Sequence, residues 1–318
     1  MKTVVTGSIA FDYLMSFPGK FRDVLLADQL HNVSLSFLVD SMKRQRGGTA
    51  PNIAYTLALL GGRPHVMATA GQDFGEYRAW LEQCGIDTSA VVEIEDDYCA
   101  SFFVNTDEEQ NQIASFYTGA MAYARRLSFA EYAADADLAI VSPNDPEAMR
   151  AYALECKRLG IAYIYDPSQQ TIRLSGEDLF LGLEGSALLT VNEYEFSLIQ
   201  DKTGLNEAQI LEQVGGLLVT KGDKGSLLSV NGEQYVIPAV PPRRVVEPTG
   251  AGDAFRGGLM RGIQLGLPWA IAGRLGALAA TYVLEQLGTQ NHHYTTAEFV
   301  TRYRQHFDDE GALDSLLT

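Results

Sequence analysis

The sequence predicts an α/β protein in which a mainly parallel central sheet is flanked by helices and carries a small β-flap, or lid. Three observations lead there. Short apolar runs recur between helix-like stretches, at 3–6, 65–69, 138–141, 162–165, 187–191 and 216–220. Runs that do not alternate suit strands covered on both faces, as parallel strands are. Two segments break this rhythm, 28–46 and 91–117, and in the second CASFFVNT and NQIASFY flank the polar turn DEEQN like a hairpin. Finally, from Gly250 onward Phe255, Leu259, Ile263 and Leu267 fall every four residues, and a second helix, about 269–287, follows Pro268. These two helices form a C-terminal cap on the sheet.

A chain of 318 residues is long for one average domain but within reach of a single large α/β unit. We expect one domain over 1–318, with the lid drawn from about 12–46 and 91–118; two independent halves are the alternative. A composition of 46% hydrophobic and 20% charged residues can bury a full core, which excludes disorder as the main state. The net charge of −16 argues against general affinity for nucleic acid or anionic membranes and points to a small-molecule partner. Cys84, Cys99 and Cys156 show no CxxC pair, so neither a disulfide scaffold nor a zinc site is expected. The opening MKTVVTGSIAFDY alternates like a strand, and no apolar run approaches the roughly 18 residues of a membrane helix. A cytoplasmic location is expected.

Four segments carry candidate chemistry. In EPTGAGDAFRGG a loop of small residues runs into a helix, where the N–H groups of Gly250, Ala251 and Gly252 would point outward unpaired and hold an anion. Asp253 stands beside them in the first helical turn, able to take a proton from a hydroxyl while the amides hold the group being transferred. It reads equally as an ordinary N-terminal helix acid. Gly257 and Gly258 each cost about 1 kcal/mol inside a helix, so they permit close approach of a neighbour or a ligand. In RGGTAPNIAYTLALLGG, Gly47 and Gly48 precede a helix with the apolar face Ile53, Leu57 and Leu60. Asn52 in its first turn suits either a hydroxylated ligand or a capping role.

In LLTVNEYEF, Asn192 and Glu195 lie just past a buried strand, where ligands collect in open α/β sheets. They suit hydrated Mg²⁺, although a capping arrangement is favoured for this segment by itself. In LLVTKGDKGS a strand ends at Thr220 and turns through Gly222 and Gly225; the turn suits nucleotide phosphates, with Lys221 or Lys224 adding charge, or a plain connection. No GxGxxG, GxxxxGK[ST] or GxSxG pattern is present. His31, His65, His292, His293 and His306 lack metal-type spacing and read as surface or packing residues. Phe102, Phe103, Phe116 and Tyr117 on the lid suit packing or the wall of a flat base.

Taken in order, Asp12 in GSIAFD, the lid, the glycine pair, NxxE, TxGxxG and TGAGD resemble the PfkB-type, ribokinase-like family of carbohydrate and nucleoside kinases over nearly the whole chain. That resemblance implies a ribokinase-like fold and transfer of the γ-phosphate of ATP, with Mg²⁺, to a hydroxymethyl group. It implies Asp253 as base, with Gly250, Ala251 and Gly252 as the anion hole. Asn192 and Glu195 would organise magnesium through water and the phosphates. Thr220, Lys221, Gly222 and Gly225 would lie against the nucleotide. Asp12, Gly47, Gly48 and Asn52 would hold the acceptor's hydroxyls, with Phe116 at its base. Family members commonly carry Asp at the position of Glu247, which is associated with a monovalent cation such as K⁺. The runs IASFYTGAM and LGTQNHHY look most like bacterial members described as adenosine kinases. The alternatives are a ribokinase- or fructokinase-type sugar kinase and a non-catalytic nucleotide- or sugar-binding protein. Free lid edges offer a route to a homodimer.

Overall fold

The computed structural model describes residues 1–25 and 34–317. Its strands are β1 (Thr3–Thr6), β2 (Ala10–Ser16), β3 (Ser41–Gly47), β4 (Pro64–Gly71), β5 (Asp87–Ile94), β6 (Ala100–Thr106), β7 (Gln112–Tyr117), β8 (Leu138–Val141), β9 (Ala162–Tyr165), β10 (Leu188–Asn192), β11 (Gly216–Thr220), β12 (Ser226–Val230) and β13 (Glu233–Ile237). Nine of them form one sheet in the order β13-β12-β11-β10-β9-β8-β1-β4-β5. From β11 to β5 every pairing is parallel, and only the β12–β13 edge runs antiparallel. β1, β4 and β8 are buried at every position, as their unbroken apolar runs require.

The other four strands form the lid in the order β3-β2-β6-β7. β2 and β6 are parallel, while β3 and the hairpin partner β7 are antiparallel edges. The second lid segment begins at Ala100 and not at Val91: Val91 lies in β5, which pairs with β4 in the main sheet. β5 alternates in burial because it is an edge strand with one covered face, which gives it the same pattern as a lid strand. The part of the first expected lid segment at 26–33, with His31, lies outside the described residues.

The helix Thr49–Leu59 sits beside the helix Ala251–Gln264. Ile53, Leu57 and Leu60 have no exposed surface, and burial stabilises by about 1.5–3 kcal/mol for each such side chain. A Cβ on Gly257 would stand 2.7 Å from the Ile53 carbonyl, and one on Gly258 would stand 2.8 Å from that of Leu275. Both glycines therefore serve close approach of neighbouring helices, which brings Asn52 within reach of Asp253. The next helix, Trp269–Leu284, ends three residues before the expected 287. Glu285 there binds the Arg302 guanidinium at 2.6 and 2.9 Å and accepts from the Arg243 amide. Cys84, Cys99 and Cys156 are free thiols. Among the described residues no helix is long and apolar enough to cross a membrane.

Candidate active site

Gly250 adopts the left-handed conformation, φ +82°, which lets the chain turn sharply into helix Ala251–Gln264. The expected three-amide cradle is reduced to two of its members. The Ala251 N–H donates to the Pro248 carbonyl at 3.2 Å, because the tight turn that opens the helix closes on itself there. Gly250 and Gly252 keep N–H groups with no acceptor among the described residues, and so does Asp253. These orphan donors carry the positive end of the helix dipole.

Asp253 follows at once. Its Oδ2 accepts a hydrogen bond of 2.9 Å from Asn52 Nδ2, reaching across from the neighbouring helix. Burial pushes the carboxyl up to about 6, while the Arg256 charge and the Asn52 hydrogen bond pull it down. Such a group is ionised at neutral pH yet close enough to it to accept a proton.

Asp253, Asn52, Gly250 and Gly252 line a cavity of about 490 Å³. Asp12 enters from β2, and Gly48 and Thr49 come from the start of the helix beneath it. Phe102, Phe116 and Met121 supply an apolar wall on the lid side. Burial pushes Asp12 up to about 6, with Glu247 and Asp253 adding to the shift. Arg256 also faces this cavity, paired with Asp166 directly after β9. Its Nη2 donates to Asp166 Oδ1 at 2.6 Å, and a second contact joins Nε to Oδ2. Complete burial, with Glu195 and Asp253 nearby, pushes Asp166 up to about 7 against the pull of Arg256. The pair fixes one guanidinium between the carboxylates of the site.

A second cavity, about 640 Å³, opens on the other side of the same helix start. Its walls are mainly apolar: Ala239, Pro241, Val245, Phe255, Ala277, Ala280 and Leu284, closed by Thr220, Gly222, Asp223 and Gly225 of the turn after β11. Ala251 lines this cavity, Gly250 lines the first, and Gly252 lines both. Neither Lys221 nor Lys224 lines it, contrary to expectation. The turn is held by Lys221 N–H to the Gly225 carbonyl, 2.8 Å, and Lys224 N–H to the Lys221 carbonyl, 3.1 Å, so glycine backbone forms the wall.

Three further expectations change. Gly47 lines neither cavity; a Cβ there would stand 2.5 Å from Asp12 Oδ2, so it makes room for that carboxylate. Asn192 and Glu195 form the capping box that the segment by itself favours, in place of the ligand pair that the resemblance implies, with Asn192 Oδ1 accepting from Glu195 N at 2.8 Å and Glu195 Oε2 from Asn192 N at 2.9 Å. Glu195 is buried, and its Oε1 has only a long contact, 3.4 Å, from the Ser168 hydroxyl. A direct metal role for Asn192 does not fit these bonds, whereas a water-mediated one through Glu195 Oε1 does. Glu247 lines neither cavity either, and its Oε2 accepts the Gly288 N–H at 2.8 Å. His292 is buried and His293 exposed, which agrees with packing and surface roles.

Not singled out from the sequence are Arg256, Ser8, Ser168, Gln170 and Thr289, which line the cavity, and Asp166, which holds Arg256. Two of them had a readable signal: Arg256 sits one helical turn from Asp253, and Asp166 ends an apolar strand.

Residues 13–296 match the pfkB family carbohydrate kinases, and the chain belongs to that family. It is a phosphotransferase with an alcohol group as acceptor, on the ribokinase-like fold. A nucleoside kinase from Methanothermobacter thermautotrophicus is 31% identical over 307 residues, covering 94% of each chain. The solved structure of Burkholderia thailandensis nucleoside kinase in complex with inosine is 38% identical, with a TM-score of 0.86 over 96% of this chain and 98% of that one. The same protein in complex with ADP-inosine gives 39% and 0.84, over 96% of each chain. Nucleoside kinase from Methanocaldococcus jannaschii, described as an archaeal member of the ribokinase family, is 27% identical, with a TM-score of 0.85 over 96% of this chain and 99% of that one.

Proposed function

We propose that the protein transfers the γ-phosphoryl group of ATP to the hydroxymethyl group of a nucleoside, with adenosine the favoured acceptor. One observation carries this reading: a polar cavity and an apolar cavity meet at Gly252, with Asp253 on the polar side. The nucleoside lies in the first cavity, its hydroxyls on Asp12 and Asn52 and its flat base against Phe102 and Phe116. The inosine and ADP-inosine complexes of the Burkholderia relative support a nucleoside acceptor and an adenine-nucleotide donor.

Asp253 takes the proton of the acceptor hydroxyl as its oxygen attacks the γ-phosphorus. The bond from that phosphorus to the bridging oxygen breaks, and ADP leaves. Gly250 and Gly252 amides hold the transferring group, and the Arg256 guanidinium offsets its charge. Mg²⁺ bound with the nucleotide would neutralise phosphate charge, and Glu195 Oε1 would hold it through water. Glu247, with one carboxylate oxygen taken by Gly288, is the candidate for K⁺ binding. The chain works as one domain in the cytoplasm, where three free thiols are stable. The lid edge β7, with Ile113, Phe116 and Tyr117 exposed, is the candidate surface for a homodimer.

The test is ADP release from ATP and Mg²⁺ over a panel of nucleosides and free sugars, with and without K⁺. Adenosine and related nucleosides are expected to react. Reaction with free sugars alone overturns the nucleoside assignment, and ATP binding without turnover on any acceptor overturns the kinase mechanism.

A further inference from the structure

Behind Asn52 lies a hydrogen-bond chain with a definite direction. Trp80 Nε1 donates to Gln290 Oε1 at 3.3 Å, and an indole N–H can only donate. Gln290 Nε2 then gives its hydrogens to Asn52 Oδ1, 2.8 Å, and to the Tyr77 oxygen. Tyr77 can only accept there, because its own hydrogen goes to the Gly47 carbonyl at 3.0 Å. Asn52 Oδ1 being occupied, its Nδ2 faces Asp253. Tyr77, Asn52 and Gln290 are 1%, 5% and 2% exposed, so the protein supplies their partners in this arrangement, and Tyr77 and Gln290 also border a cavity of about 210 Å³.

We propose that Gln290, held by Trp80 and Tyr77, is a positioning residue that fixes which end of the Asn52 amide faces Asp253. A primary amide has two ends of nearly equal shape and opposite polarity. With its NH₂ toward Asp253 it stabilises the ionised base; turned round, its oxygen opposes the carboxylate and favours the protonated form. The donor-only indole and the committed tyrosine hydroxyl exclude the second arrangement. The glutamine thus acts on the base through Asn52 without touching substrate.

This inference rests on Asp253 being the base. The charged groups facing Asp253 are Arg256 on its own helix, Asp12 from β2 and Asp166 after β9, and Arg173 lines the same cavity. All of these remain in the variants below, and in Gln290→Met and Trp80→Phe, which add no charge, a pH effect is traceable to the relay.

The experiment is the pH profile of kcat for Gln290→Met, with a thermal melt to establish folding. The acid limb is expected to rise by about one pH unit, the scale of one lost hydrogen bond to an ionised group. Turnover then falls about tenfold below pH 6 and recovers to within about twofold above pH 8, with the KM for ATP unchanged. Gln290→Glu moves the limb further, because a carboxylate has no hydrogen for Asn52 Oδ1 and turns the amide round. Trp80→Phe removes the N–H together with part of the ring and leaves Gln290 and Asn52 in place; it decides the matter if the buried changes prevent folding, shifting the limb the same way by less. A folded Gln290→Met protein with its limb in place overturns the relay, as does an unmoved limb in Trp80→Phe where the glutamine variants do not fold. Asp253→Asn distinguishes the two levels: if it turns over normally the base assignment fails and takes the relay with it, and if it is inactive while the limb stays put only the relay fails.

Discussion

The two cavities that meet at Gly252 are built from opposite materials. The acceptor side is assembled from long-range polar side chains: Asp12 from the lid, Asn52 from one helix, and Asp253 and Arg256 from another, with Arg256 held from behind by the buried Asp166. The other side is assembled mainly from apolar side chains, alanine and proline beside Phe255 and Leu284, with glycine backbone and Asp223 at the turn and no lysine at its wall. The difference follows from what each partner asks for. A hydroxylated acceptor must be oriented and deprotonated, which takes charged groups of fixed position. A flat base needs a slot of the right shape. The proposed function puts chemistry on one side of the helix start and fit on the other, so substitutions on the two sides should separate kcat from the KM for ATP.

The largest separation is expected from Asp253→Asn. The asparagine keeps the shape and removes the proton acceptor, so kcat should fall by about 10² to 10⁴. The KM for ATP should stay within about threefold, because Asp253 lines only the acceptor cavity. In the unaltered protein the same group sets the pH response. Its carboxyl is pushed up to about 6, so it is protonated and inactive as a base below that pH, and kcat should decline on acidification through 6. Asp12, also pushed up to about 6, weakens acceptor binding over the same range. Steady-state kinetics from pH 5 to 8 check both; a flat profile breaks the assignment of chemistry to this side.

Ala280→Leu sharpens the comparison from the opposite side. Ala280 lines the apolar cavity, and three added carbons occupy space that a base would use. Overfilling a packed site costs about 1–3 kcal/mol, so the KM for ATP should rise by about five- to a hundredfold while the KM for the acceptor holds. Isothermal titration with ATP in the absence of acceptor measures this directly. An equal loss on both substrates would mean that the cavities are not independent.

The same contrast explains what could be read from the chain. β1, β8, β9 and β11 lie at the expected residues, because a strand buried on both faces must be an apolar run. Val91 was assigned to the lid because an edge strand of the main sheet shares the alternation of a lid strand, and local pattern carries no record of the pairing partner. Asp253, Gly250 and Gly252 were legible because an acid at a small-residue helix start is a local feature. Arg256 has its spacing from Asp253 as a local signal, but its burial depends on Asp166, 90 residues away, and an arginine on a helix is usually solvated. The apolar cavity was read only at its turn: alanines and prolines are common everywhere, and only the fold makes them a wall. Lys221 was chosen for its charge, the property that stands out in a sequence, when the turn offers glycine backbone.

Lys221→Ala therefore carries the smallest expected effect and probes the comparison at its weakest point. The side chain lines neither cavity, and what holds the turn is its backbone N–H to the Gly225 carbonyl, which alanine keeps. Any remaining influence is long-range, and at physiological salt attraction between exposed charges is screened over about 8 Å. The KM for ATP should change by less than about twofold, and lowering the salt should widen the gap only slightly. A tenfold rise would mean that the lysine reaches the phosphates once the nucleotide is bound, so that charge as well as shape works on that side. The turn after β11 would then be a phosphate-binding element, and the helix start at Gly250 and Gly252 would share with it the work of holding the transferring group.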